Sequence, residues 1–186
     1  MTTSGTSNEP TNTAGDQPGD IASAPIAADG TRAGIVVGID GSARSSQALR
    51  WALMQADATG GRVRAVACWE WPSSAGGFYP YVDSDLSAST REGAVKQVAE
   101  VTAALGLSQG LVDLAVIEGY PARVLVHAGE DADLLVVGSR GHRAFTGVML
   151  GSVGLHCATH AHCPVVIIRD HTGHEAADAG TASRRR

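Results

Sequence analysis

Four consecutive apolar residues, Leu134-Leu135-Val136-Val137, end abruptly at Gly138, and Ser139-Arg140-Gly141 follows. The run is too short for a buried helix and suits a strand covered on both faces. The loop after it is rich in Gly, Ser and Arg. Glycines let backbone N–H groups approach an anion, because no Cβ intervenes. Gly151-Ser152 then opens an apolar pattern of Val153, Leu155, Cys157, Ala158 and Ala161 that fits a helix. Unbonded N–H groups at a helix start favour phosphate, aided by the helix dipole. A Gly-x-x-Gly alone would only turn the chain. Its combination with a preceding strand, Arg140, Arg143 and a second Gly-Ser at a helix start points to a phosphate cradle.

The same kind of run recurs along the chain. Gly34–Asp40 (Gly-Ile-Val-Val-Gly-Ile-Asp) reads as the first strand, and Val63–Trp69 as the second. Leu111–Ile117 reads as the third and Pro164–Arg169 as the fifth. Between them lie helical patterns. Asp40-Gly41-Ser42 is turn chemistry leading into a helix from Ala43 to about Thr59, whose apolar face is Ala48, Leu49, Ala52, Leu53 and Ala56. Gly60-Gly61 ends it. Ser89-Thr90-Arg91-Glu92 reads as a capping box, with Val95, Val98, Thr102 and Leu105 recurring after it. Pro121 suits the first turn of a third helix, which ends near Gly129. The alternation predicts a three-layer α/β/α, doubly wound fold on a five-stranded parallel sheet. In such sheets ligands bind beyond the carboxyl ends of the strands, where strand order reverses. If strands one and four are neighbours, Asp40 and Gly138 face each other there.

The 186 residues allow one domain with a core, plus tails. Residues 1–33 and 171–186 are poor in large apolar side chains and read as disordered tails around a domain at 34–170. The formal charge of -5 argues against broad attraction to nucleic acid. No apolar run approaches a membrane span, and no basic-then-apolar leader opens the chain. Three cysteines, an odd number at no framework spacing, suit a reduced cytoplasmic setting. Glu70–Ser87 reads as a long aromatic loop, either a lid or a plain surface excursion. His156, Cys157, His160, His162 and Cys163 are irregularly spaced for a zinc site. His127 and His171 have no partner evident from spacing. No Walker loop, no Gly-x-Gly-x-x-Gly after the first strand and no Gly-x-Ser-x-Gly elbow is present. Asp40 can either meet a phosphate-bound Mg²⁺ or cap the first helix.

These residues resemble the ATP-binding branch of the universal stress protein family. The similarity runs over Gly34–Asp170. Its carriers are Val36-Val37-Gly38-Ile39-Asp40-Gly41-Ser42, then Ala48-Leu49-Arg50-Trp51-Ala52, the spacing Gly138-x2-Gly141-x9-Gly151-Ser152, and Cys163-Pro164-Val165-Val166. The resemblance implies that Gly138, Gly141, Gly151 and Ser152 hold a triphosphate, with Ser139, Arg140, His142 and Val153 near it. Arg143 joins them from the loop's own composition. Asp40 and Gly38 would lie by the ribose and base, and Ala67–Trp69 beside adenine. The resemblance further implies ATP with Mg²⁺ as ligand, a homodimer through Val165–Arg169, and a single-domain sensor or regulator that is at most a slow ATPase. The alternative is a nucleotide-free interaction module of the same fold. A side chain at Gly141 should obstruct the phosphate path.

Overall fold

Each apolar run becomes a strand, and each 3.6-residue pattern a helix laid against it. The computed structural model describes residues 34–70, 86–141 and 150–169. In chain order the elements are β1 (Ile35–Ile39), α1 (Ala43–Thr59), β2 (Val63–Trp69), α2 (Leu86–Leu105) and β3 (Val112–Glu118). Then come α3 (Pro121–Ala128), β4 (Leu134–Gly138), α4 (Ser152–His160) and β5 (Val165–Ile168). A short 3₁₀ turn, Gln109–Leu111, leads into β3. The five strands are ordered β3-β2-β1-β4-β5, and every pairing is parallel.

Successive strand residues point to opposite faces, so each strand feeds two cores. Ile35, Val37 and Ile39 pack with Ala48, Leu49, Ala52 and Leu53 of α1 and with Ala94 and Val98 of α2. Val36, Leu135 and Val137 pack on the other face with Val124 and Leu125 of α3 and Cys157 of α4. This is the three-layer, doubly wound arrangement expected from the alternation. Leu49, Leu53 and Leu135 are fully buried, each contributing about 2 kcal/mol through area removed from water. α1 stops at Gly60, whose φ of 67° places it in the left-handed region that a Cβ would disfavour.

Several local expectations change. α2 starts at Leu86, so Ser89 is not a cap; its hydroxyl donates back to the Leu86 carbonyl (3.1 Å) inside the first turn. The 70–87 segment therefore gives up its last two residues to α2, and 71–85 lie outside the described residues. Ala94, not Val95, faces the core, and Val95 is 51% exposed. On α4 the inward positions are Val153, Gly154, Cys157 and Ala161, while Leu155 is 58% exposed and Ala158 is exposed. His127 has a partner one turn on: its Nδ1 lies 3.3 Å from Glu130 Oε1. The expected tails, including His171, lie outside the described residues.

Candidate functional site

Strand order reverses between β1 and β4, which are hydrogen-bonded neighbours. The chain leaves β1 toward α1 on one face and leaves β4 toward α4 on the other. The two departures open a crevice at the carboxyl ends of the strands.

The β1–α1 turn closes on itself. Asp40 Oδ1 accepts from the Ser42 N–H (3.0 Å), and the Ser42 hydroxyl accepts from the Ser45 N–H (3.2 Å) as the N-cap of α1. The helix cap is therefore Ser42, and Asp40 shapes the turn before it. The Asp40 N–H donates to Ser45 Oγ (3.2 Å) and the Gly41 N–H to Gln97 Oε1 of α2 (3.0 Å). Gly41 has a φ of 81°, so a residue without Cβ is required there. The Asp40 carboxylate remains exposed to the crevice side of the turn.

The described ends of the β4–α4 connection are tied together at their base. The Ser139 N–H donates to the Ile168 carbonyl of β5 (2.7 Å), and the Gly151 N–H donates to the Ser139 carbonyl (2.7 Å). Ser139 is thereby buried and spends its backbone groups on structure. Gly151 is the N-cap of α4 and offers no side chain to cap it. The first bond within α4 runs from the Leu155 N–H to the Gly151 carbonyl (3.0 Å). The amides of Ser152, Val153 and Gly154 consequently have no acceptor inside the helix. Arg140 adds a buried Nε with no hydrogen-bond partner among the described residues.

Glycines let these turns meet. A Cβ at Gly141 would sit 2.7 Å from Asp40 Oδ2, so the two turns touch there and a side chain at 141 would displace the Asp40 carboxylate. A Cβ at Gly138 would lie 3.2 Å from Arg44 Cβ, which shows how closely the first turn of α1 approaches the end of β4. At Gly151 the same test finds only ordinary contacts, 3.4 Å to Arg140 Cα and 3.5 Å to the Ser139 carbonyl. Gly38 differs from the rest. A Cβ there would lie 2.8 Å from Leu125 Cδ1, so this glycine admits α3 against the sheet. The structure thus brings Asp40, Arg140, Gly141 and Gly151 together. Ser152 is exposed at the α4 start, and Val153 packs partly into the second core. His142 and Arg143 lie outside the described residues.

Sequence reasoning missed Gln97 and Arg44. The signal for Gln97 was a polar residue within the inward-facing positions of α2, flanked by Ala94 and Val98. The cysteines stay clear of the chemistry. Burial, with smaller charge effects, pushes the Cys68 thiol up to about 12 and the Cys157 thiol up to about 11. Both stay protonated at neutral pH and serve as apolar packing. His156 and His160 stack at 4.2 Å, and His160 Nδ1 lies 3.0 Å from the His156 carbonyl. No group of three or more metal-binding side chains occurs among the described residues.

A family model described as the universal stress protein family matches residues 33–169. The chain belongs to the universal stress protein family. A universal stress protein of Mycolicibacterium smegmatis is 34% identical over 157 residues, covering 78% of this chain and 52% of its own length. One from Mycobacterium tuberculosis is 34% identical over 143 residues, covering 75% and 46%. The chain thus spans about half the length of these mycobacterial relatives. A Thermus aquaticus member is 33% identical over 138 residues, which is 73% of this chain and 97% of that protein. Among solved structures, a family protein from Burkholderia pseudomallei superposes with a TM-score of 0.53 at 26% identity, covering 74% of this chain and 96% of its own. A universal stress protein in complex with cAMP gives a TM-score of 0.55 at 24% identity, covering 73% and 94%. One from Archaeoglobus fulgidus in complex with dAMP gives 0.51 at 24%, covering 72% and 95%.

Proposed function

We propose that this universal stress protein domain binds ATP with Mg²⁺ in the β1/β4 crevice and acts as a nucleotide-dependent sensor or regulator of the stress response. The observation that carries this reading is the start of α4. The amides of Ser152, Val153 and Gly154 lack helical acceptors beside Arg140, whose buried Nε is unmatched among the described residues. The donor set suits a polyanion: backbone N–H groups at a helix start plus one guanidinium. The residues therefore fit a triphosphate held by Gly138, Arg140, Gly141, Gly151, Ser152 and Val153, with Ser139 tying the turn to β5. His142 and Arg143, from the same loop, belong to the proposed set by sequence alone. Mg²⁺ on the triphosphate would offset the exposed carboxylate of Asp40, which lies against Gly141. Gly38, at the end of β1, and Ala67–Trp69, at the end of β2, would border the ribose and adenine. The relatives solved with cAMP and dAMP share this fold and support an adenine nucleotide as the class of ligand.

The reading extends to a homodimer and a cytoplasmic location. β5 pairs only with β4 among the described strands, which leaves its outer edge available to a second copy through Val165–Arg169. Sedimentation of the purified protein tests this, and a monomer at every concentration removes it. Cys68, Cys157 and Cys163 are all free thiols, as suits a reducing compartment. No helix of the described residues is long and apolar enough to cross a membrane. Catalysis is at most slow hydrolysis, measured as phosphate release from Mg-ATP. The deciding experiment is to denature the purified protein, chromatograph what it releases, and titrate the refolded or ligand-stripped protein with Mg-ATP. Release of an adenine nucleotide, or saturable binding, is expected. Neither result would leave a nucleotide-free interaction module of the same fold.

A further inference from the structure

Gln97 stands apart from the rest of α2. It is 5% exposed, yet it is a polar side chain between Ala94 and Val98 on a face that otherwise packs into the first core. Its amide is used from both ends. Oε1 accepts from the Gly41 N–H (3.0 Å), while Nε2 donates to Ser45 Oγ (2.8 Å) and Ser46 Oγ (2.9 Å). The orientation is forced: an N–H can only meet the oxygen, so the NH₂ must face the two hydroxyls. Each hydroxyl passes its own proton to the Ser42 carbonyl, at 3.0 Å from Ser45 and 3.2 Å from Ser46. Ser45 Oγ also receives the Asp40 N–H (3.2 Å). One side chain on α2 therefore holds the turn from Asp40 to Ser46 across more than fifty residues of sequence.

That turn carries the carboxylate lying against Gly141. We propose that Gln97 is a positioning residue of the crevice: its amide fixes the Asp40–Ser42 turn where it meets the β4–α4 turn, and so couples α2 to nucleotide affinity. The inference rests on the nucleotide reading above for its functional half. Its structural half, the clamp on Gly41, stands on hydrogen bonds alone. An unbranched thioether of similar length removes all three bonds while filling much the same space, so Gln97→Met separates the clamp from packing. Val98→Ala, the next residue on the same helix, loosens the core without touching the network and serves as its matched control.

The test has two independent readouts on the intact chain. Amide hydrogen exchange reads the clamp without any ligand. The Gly41 N–H of the wild type should exchange about tenfold or more slowly than an unstructured amide, and Gln97→Met should abolish that protection while Val98→Ala keeps it. Titration with Mg-ATP reads the coupling. Gln97→Met should raise Kd by about tenfold, and Val98→Ala by no more than about twofold. Equal losses of affinity in the two variants would mean that only general stability is at work, and would overturn the proposal. Unprotected Gly41 in the wild type would overturn it even if Gln97→Met failed to fold. If the wild type binds no nucleotide, the reading of the site fails instead, whereas Gly41 protection lost in Gln97→Met would still establish the clamp.

Discussion

Two turns meet at the β1/β4 crevice, and they treat their backbone amides in opposite ways. In the β1–α1 turn the N–H groups of Asp40, Gly41, Ser42 and Ser45 are all taken by side chains of Ser45, Gln97, Asp40 and Ser42. In the β4–α4 turn the helix starts on a glycine that caps nothing, and its first three amides have no helical acceptor. The first arrangement yields a fixed shape with one carboxylate displayed. The second leaves donors without a helical acceptor. A helix start can stabilise its own fold or hold an anion, but the same N–H groups cannot do both fully. On the proposed reading, one side of the crevice supplies shape and the other binding.

The largest effect is expected where the two turns touch. In Gly141→Val, the new Cβ would lie 2.7 Å from Asp40 Oδ2, so the Asp40 carboxylate must swing from its place against the β4–α4 turn. Mg-ATP affinity should fall by about 100-fold or more while the far-UV spectrum is kept. An affinity within about threefold of wild type would show that contact between the turns is dispensable. Next comes Arg140→Ala, which removes the guanidinium from the β4–α4 side. A charge-assisted bond of about 2 kcal/mol corresponds to roughly 30-fold in Kd. The loss should shrink at high salt, where the wild-type interaction is screened. A loss that is the same at all salt concentrations would place Arg140 in a packing role.

Most of the architecture could be read in advance, for a simple reason. Continuous apolar runs such as Ile35–Val37 and Leu134–Val137 are buried on both faces, which suits central parallel strands. α1 was equally legible because its apolar period, the Asp40-Gly41-Ser42 turn chemistry and Gly60 agree, although the cap is Ser42 and not Asp40. α2 was not. A Ser-Thr-Arg-Glu run looks like a cap, but a serine within a first turn can also donate backward, as Ser89 does to Leu86. At the site, the glycine spacing located the β4–α4 turn. It did not reveal that Gly141 lies against Asp40, about a hundred residues away in sequence. Gln97 was hidden for the same reason. Its partners belong to another helix start, and one polar residue does not disturb a helical period.

Smaller effects test the division between shape and binding more finely. Ser42→Ala removes the α1 cap and should cost about 1 kcal/mol in urea denaturation. Ser152→Ala, at the start of α4, should stay within about 0.5 kcal/mol, since that exposed hydroxyl caps nothing. Equal losses at both positions would erase the contrast between the two helix starts.

The finest test exchanges one plan for the other. Gly151 has extended backbone angles, φ -71° and ψ 164°, that suit a serine at an N-cap. A Cβ there meets only ordinary contacts, at 3.4 Å and beyond. Gly151→Ser should therefore give α4 the self-closure that Ser42 gives α1. Its hydroxyl would accept from an amide of the first turn, and stability should rise by a few tenths of a kcal/mol, roughly the usual gain of serine over glycine at this position. The same hydrogen bond removes a donor from the start of α4, so Mg-ATP affinity should fall by about fivefold. Opposite signs on the two measurements are what competition for a single amide requires. A variant that gains stability and keeps its affinity would show that these amides are not what grips the ligand, and the binding role would pass to Arg140 alone.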